Sequence, residues 1–248
     1  MDDNSAQQPA RDKGLAGKLA LVTGASRGIG AATAIELGRR GAHVILTARD
    51  DRKLEQVEDT IHAAGGTATI APMDLAEPDS IARLATAIGG RWDALDILVI
   101  NAAVFVPLTP VQDIDPRAFS RALTVNVAAT QNLLAAFHPM LKRAEAGRVI
   151  GVTSSVGASP RAYWAAYAST KAAFDNLLLS YALENANTTA IRAAVVNPGG
   201  TRTEMRARAF PGEDPATVQP PENVATFMAN MIGEPFPNGE IISVKDAR

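Results

Sequence analysis

Leu19-Ala20-Leu21-Val22-Thr23-Gly24-Ala25-Ser26-Arg27-Gly28-Ile29-Gly30-Ala31-Ala32-Thr33-Ala34 is the stretch on which the fold turns. A short apolar run ends in three glycines spaced Gly-x-x-x-Gly-x-Gly, and an Ala-rich helical pattern begins at once. A strand-to-helix turn of this kind aims backbone N–H groups and the positive end of a helix at one point. Residues without side chains then let a pyrophosphate come close, so Gly24, Ser26, Arg27, Gly28, Ile29 and Gly30 are candidate cofactor contacts. Taken alone the motif also fits a tight turn with close helix packing.

The same alternation continues on both sides of this turn. Leu19 to Thr23, His43 to Thr47, Thr67 to Ala71, Ile97 to Ile100, Arg148 to Thr153, Ile191 to Val196 and Glu240 to Val244 read as seven strands. Gly30 to Arg40, Lys53 to Ala64, Ser80 to Gly89, Ala118 to Lys142 and Tyr163 to Asn187 read as helices. Strands such as Ile97-Leu98-Val99-Ile100 are apolar at consecutive positions, which predicts burial on both faces. The predicted fold class is therefore α/β: one domain over residues 18–248, a Rossmann-like, doubly wound, parallel seven-stranded sheet with helices on both faces. Residues 1–17 lack periodicity and are expected to be a flexible extension, and a substrate-covering loop is expected at about 200–221, where prolines cluster.

Composition narrows the chemistry. The 248 residues are 47% hydrophobic and 20% charged with a net charge of -2, which fits a globular chain and provides no basic excess for nucleic acid. Without cysteine there is no thiol nucleophile or zinc-thiolate site, and His43, His62 and His138 are too scattered to build a metal site. No apolar run reaches the roughly 18 residues of a membrane span. The opening MDDNSAQQPARDKG is acidic and polar where a signal peptide is basic and then apolar. A cytoplasmic enzyme acting on a small molecule is the expectation.

A dinucleotide site that selects NAD usually carries an acid at the end of the second strand. Here that point reads Thr47-Ala48-Arg49-Asp50. If Ala48 ends the strand, no carboxylate repels a 2′-phosphate and Arg49 can bind it as a planar fork, with Arg27 as a second cation, which predicts NADP over NAD. A register shift by one residue would return Asp50 to the acidic position.

Tyr167 and Lys171 are four apart and share a helical face, and Ser154 stands thirteen residues before the tyrosine at the end of the fifth strand. A phenol near pKa 10 is ionised about one part in a thousand at pH 7, and neutrality requires about 4 kcal/mol of differential stabilisation. An ammonium about 4 Å away supplies roughly that at an effective dielectric of 20.

In this combination the chain resembles the short-chain dehydrogenase/reductase family from about Lys18 to Val244. Thr23 to Gly30 is similar to its Thr-Gly-x-x-x-Gly-x-Gly loop, Asp74-Leu75 to its adenine-contacting pair and Asn101-Ala102-Ala103 to its Asn-Ala-Gly segment, with Ala103 departing from the usual glycine. Ser154, Tyr167, Lys171 and Asn126 match its four catalytic residues, although Ser155 beside Ser154 leaves a second candidate. Pro198, Gly199, Thr201 and Thr203 lie in the segment matching its Pro-Gly-x-x-x-Thr, which receives the nicotinamide carboxamide.

The resemblance implies hydride transfer between a nicotinamide cofactor and a carbonyl or secondary alcohol. Tyr167 would act as acid or base and Ser154 as donor to the substrate oxygen. Lys171 would lower the phenol pKa and bind the ribose, and Asn126 would hold a water that links Lys171 to solvent. It also implies a homo-oligomer, a tetramer or dimer, built on the helices at 118–142 and 163–187. Val104, Phe105, Arg161, Tyr163, Trp164, Met205 and Phe210 are candidate substrate contacts. Arg202, Arg206 and Arg208 either meet an acidic carrier or form a solvated face. Two rival readings are a cofactor-sensing module without catalysis and a sugar-nucleotide epimerase or dehydratase, whose chains are usually longer.

Overall fold

Strands of four to six residues, apolar at consecutive positions, can be satisfied only inside a sheet covered on both sides, and the chain folds that way. The computed structural model describes residues 14–244. Its strands are β1 (Leu19–Thr23), β2 (His43–Thr47), β3 (Thr67–Ile70), β4 (Ile97–Ile100), β5 (Arg148–Val152), β6 (Arg192–Asn197) and β7 (Ile241–Ser243). They form one parallel seven-stranded sheet, as predicted, and its strand order is β3-β2-β1-β4-β5-β6-β7.

The helices are α1 (Gly28–Arg39), α2 (Asp51–Ala63), α3 (Ser80–Gly89), α4 (Pro116–Leu123), α5 (Ala129–Arg143), α6 (Ser155–Ala158), α7 (Ala165–Asn185), α8 (Glu204–Ala209) and α9 (Pro221–Gly233). Among the described residues none is long and apolar enough to cross a membrane.

Alternate residues of each central strand enter opposite cores. Val22, Ile97 and Val99 belong to the cluster that also holds Leu37, Leu54 and Met228, while Leu21, Leu98 and Ile100 join Phe137, Phe174 and Leu178 on the other face. Each such side chain contributes about 1.5–3 kcal/mol of burial. The strand order reverses between β1 and β4, so the loops beyond their carboxyl ends part and leave a crevice.

Close packing sets α7 relative to that crevice. A Cβ on Gly151, in the middle of β5, would stand 2.1 Å from Leu178 Cδ1 and 2.7 Å from Phe174 Cζ. Only a glycine there lets α7 lie so near β5, and α7 carries Tyr167 and Lys171.

Three local features differ from the sequence expectation. Of the expected flexible extension over 1–17, residues 1–13 lie outside the described residues, but Leu15 is anchored while its neighbours Gly14, Ala16 and Gly17 stay exposed. Leu15 is 5% exposed within the core, and its N–H donates to the Arg40 carbonyl at 3.1 Å. The single helix expected over 118–142 is α4 and α5 joined by a wide turn at Thr124–Ala128. The segment at 200–221 contains α8, and α9 follows it with Pro221 in its first turn, where the missing N–H costs nothing. The apolar face Val224, Met228 and Ile232 seals α9 into the core.

Candidate active site

The crevice is a cleft of about 1050 Å³. Thr23, the last residue of β1, ties its floor together. Its hydroxyl accepts from the N–H groups of Asn101 and Ala102 at 3.0 and 3.1 Å and donates to the Val99 carbonyl at 3.3 Å. The Asn101 amide donates in turn to the carbonyls of Thr23 and Gly24 at 3.0 and 3.3 Å.

Gly24 and Gly28 take left-handed backbone angles, φ +66° and +55°, and a Cβ on Gly24 would stand 2.9 Å from Ala102 Cα. Gly24, Ser26, Arg27, Gly28 and Ile29 line the cleft. Gly30 does not: it is buried, and a Cβ there would fall 2.2 Å from the Gly24 carbonyl oxygen, so its part is to let α1 press against the turn. A cradle open only to backbone, at the first turn of a twelve-residue helix, fits the pyrophosphate of a dinucleotide.

At the far end of the cleft β2 stops at Thr47, and Ala48 and Arg49 follow. Asp50 is the N-cap of α2, its carboxylate accepting from Lys53 N–H at 3.2 Å. The acid thus caps a helix while still lining the cleft, and Arg49 beside it is exposed at the cleft wall. Asp74 and Leu75 also line this end. Burial alone would raise the Asp74 carboxyl. The Ala76 N–H at 2.9 Å, the Arg121 guanidinium at 2.9 Å and the charge of Arg49 outweigh it and hold the group below the ordinary carboxylate range. Arg121, on α4, was not singled out from the sequence, because 47 residues separate it from Asp74 and no local pattern joins them.

The middle of the cleft holds Ser154, Tyr167 and Lys171 together, as their sequence positions implied they should be if they act as one. Ser154 follows β5 in extended conformation and lines the cleft, whereas Ser155 starts α6, is exposed and is absent from the lining. Tyr167 is 6% exposed and Lys171 2%. The Lys171 ammonium donates to the Val152 carbonyl at 2.7 Å, lies 4.3 Å from the Phe174 ring centre and 6.0 Å from that of Tyr167.

Burial is the leading electrostatic effect here. It pushes the Tyr167 phenol above its ordinary range, with the Asp175 charge adding to the rise, so the expected lowering by Lys171 does not prevail in this structure. Burial also pulls Lys171 down to about 8, against the opposing pull of Asp175. The Asp175 carboxyl is itself raised by burial, with Thr153 and Lys171 working the other way.

Neither Thr153 Oγ1 nor Asp175 Oδ1 completes a hydrogen bond of good geometry. The sequence reading passed over Asp175, although its place one turn beyond Lys171 was a usable signal.

Asn126 is 1% exposed, sits in the wide turn between α4 and α5 and does not line the cleft. Its carbonyl oxygen accepts from Val104 N–H at 2.7 Å, and its amide donates to the Val104 carbonyl at 3.0 Å and to Thr170 Oγ1 at 2.9 Å. Both amide hydrogens are thus spent on protein, binding the loop after β4 to α7.

Pro198, Gly199, Thr201 and Thr203 also line the cleft, as do Asn101, Ala102 and Ala103. Of the expected substrate contacts, Val104, Phe105, Trp164, Met205 and Phe210 face the cleft, and Arg161 and Tyr163 do not. Tyr163 is 60% exposed.

A short chain dehydrogenase family model matches residues 18–214. The uncharacterized oxidoreductase YciK of Escherichia coli K12 is 35% identical over 230 residues, covering 92% of this chain and 90% of its own. A short chain dehydrogenase of Pseudomonas syringae superposes with a TM-score of 0.91 at 36% identity, over 95% of this chain and 97% of that one. One from Shigella flexneri 2a, solved in complex with NADP, does so with a TM-score of 0.90 at 33% identity, over 95% and 100%.

Proposed function

The chain belongs to the short chain dehydrogenase family, and from that premise we propose that it is an NADP(H)-dependent oxidoreductase interconverting a carbonyl and a secondary alcohol, with Tyr167 as the proton-transfer group. The observation that carries this reading is a buried phenol on a cleft wall with a buried ammonium one helical turn away and a serine hydroxyl on the same cleft. When bound, the dinucleotide supplies the hydride-transfer chemistry.

Gly24, Ser26, Arg27, Gly28 and Ile29 would hold the pyrophosphate, Asp74 and Leu75 the adenine end, and Asn101, Ala102, Pro198, Gly199, Thr201 and Thr203 the nicotinamide end. The NADP complex of the Shigella relative supports the phosphorylated cofactor, as do an exposed Arg49 and an Asp50 already engaged as a cap.

Tyr167 is poised as an acid. Burial keeps the phenol protonated, ready to donate to a carbonyl oxygen during reduction, while Ser154 donates a hydrogen bond to the same oxygen. In the oxidative direction the phenol must lose its proton. The Lys171 ammonium, 6.0 Å from the centre of the phenol ring, is the positive charge placed to favour that loss. Asp175, one helical turn further on, favours the charged form of Lys171 but also raises the phenol directly, and the direct effect is the one that prevails at the phenol. Asn126 acts as a positioning residue, tying the Val104 segment to Thr170, whose hydroxyl donates to the Tyr167 carbonyl. The family also leads us to expect a homo-oligomer, with exposed Leu123 on α4 and Leu183 on α7 at the faces.

Turnover of a carbonyl panel followed by NADPH absorbance tests the assignment. Tyr167→Phe is expected to lower kcat by ~10²–10⁴-fold and to leave NADPH affinity within about threefold. Wild-type turnover by that variant would refute it.

A further inference from the structure

Beyond the Tyr167 hydroxyl the cleft changes character. The Phe105 ring stands 5.6 Å from that of Tyr167 at 62° and 5.8 Å from that of Trp164 at 65°. Trp164 lies 5.6 Å from Phe210 at 35°, and Met205 Sδ is 3.8 Å from the Tyr167 oxygen. All four residues line the cleft and each keeps part of its surface open. A carbonyl placed on the Tyr167 hydroxyl has its carbon substituents among ring faces, ring edges and a thioether, surfaces that favour flat apolar groups.

Two of the charges near these rings are already paired. The Arg206 guanidinium lies 3.7 Å over the Phe210 ring centre, and its Nε and Nη2 reach the Glu213 carboxylate at 2.6 and 2.5 Å. It backs the aromatic wall and is neutralised there. Arg27 is paired in the same way with Glu204 at the start of α8. Arg202 and Arg208 line the cleft as well, at its solvent-exposed edge, so the acidic carrier is an arm of the test below. A polyol would meet few partners for its hydroxyls in such a wall, and an acidic carrier would find Arg206 already engaged.

The backbone before Trp164 adds a further observation. Tyr163 has φ +72°, one of two non-glycine residues with positive φ among those described. Its carbonyl accepts from Thr109 N–H at 3.1 Å, and Trp164 N–H donates to the Arg161 carbonyl at 3.2 Å. Strained backbone of this kind persists where its surroundings over-determine it, and here it turns the chain so that Trp164 faces the cleft while Tyr163 faces outward.

We infer that the substrate is a planar, apolar cyclic or aromatic ketone, or the corresponding secondary alcohol, its ring seated among Phe105, Trp164, Met205 and Phe210. This rests on the assignment of Tyr167 as the proton-transfer group, since it places the carbonyl on that hydroxyl.

The test compares 2-tetralone, dihydroxyacetone and acetoacetyl-CoA as substrates with NADPH. It also follows binding of 2-tetralone to the cofactor-free protein by quenching of Trp164 fluorescence in a Trp92→Phe background. Wild type is expected to prefer 2-tetralone over dihydroxyacetone in kcat/KM by more than ~100-fold. Phe210→Ala and Trp164→Ala are each expected to lower that ratio ~10-fold or more. Saturable quenching is expected and should weaken in Phe210→Ala, a variant that keeps the reporter.

Preference for the triose or the thioester, or quenching that stays linear with concentration, overturns the proposal. Saturable binding with no turnover of any carbonyl upholds the ring site and instead defeats the oxidoreductase reading.

Discussion

The two ends of the cleft are built from different materials. At the β1 end the floor is backbone: Gly24 and Gly28 at positive φ and N–H groups tied by Thr23, with a buried Gly30 behind them that has no room for a methyl group. At the α8 end the walls are side chains from separate segments: Phe105 after β4, Trp164 before α7, and Met205 and Phe210 in and after α8. Backbone geometry is dictated by local sterics and admits one kind of partner. A wall of side chains can be altered residue by residue without touching the fold, so it is the end where a substrate is chosen.

The contrast can be broken most severely at Gly30. Gly30→Ala puts a methyl group 2.2 Å from the Gly24 carbonyl oxygen, and either α1 or the turn must move. NADPH affinity by fluorescence titration should fall more than ~100-fold, with a stability loss of about 1–3 kcal/mol by urea unfolding. Unchanged affinity would mean that the turn does not carry the dinucleotide.

A smaller effect sharpens the cofactor end alone. Arg49→Ala should weaken NADPH ~10–100-fold while NADH binding changes less than about twofold, because only the 2′-phosphate would lose its charged donor. Equal losses for both cofactors would count against the proposed role.

Between the two ends, Asp175→Asn probes the polar group they share. Removing that charge lets the phenol fall toward its ordinary range, since the Asp175 carboxylate helps to raise it. The pH profile of alcohol oxidation should shift to lower pH by about half to one unit. A purely structural part for Asp175 would lower stability and leave the profile in place.

A separate signal is in stability. Because Lys171 is held near 8 in the folded chain and has an ordinary value of 10.5 when unfolded, the unfolded state binds more protons between those values. Stability therefore contains a component that rises with pH from about 8, at up to roughly 1.4 kcal/mol per pH unit. Above pH 10 the raised Tyr167 phenol opposes it. Lys171→Met should abolish the rise between pH 8 and 10 in urea titrations, and its persistence in that variant would assign it to another group.

Much of this was readable in the chain because it depends on short-range patterns. Apolar runs such as Ile97 to Ile100 mark strands buried on both faces, the three glycines mark the turn, and the spacing of Tyr167 and Lys171 marks one helical face. The α9 face at Val224, Met228 and Ile232 was equally readable behind Pro221 and went unread. Other features carried no local signal. Arg121 reaches Asp74 across 47 residues, and Asn126 reaches Thr170 across 44. Nothing near Tyr163 marks it as the residue that takes φ +72°.

Sequence alone determined the parallel sheet, the place of the glycine turn and the pairing of a phenol with an ammonium, since each follows from the period of a strand, the period of a helix or the size of one residue. The tertiary structure decided which groups are buried together: that desolvation prevails at the phenol, that Asp50 is taken up as a cap, and that Arg206 stacks on Phe210 and pairs with Glu213. Desolvation and charge pairing act through space, and distances between side chains far apart along the chain exist only once it has folded.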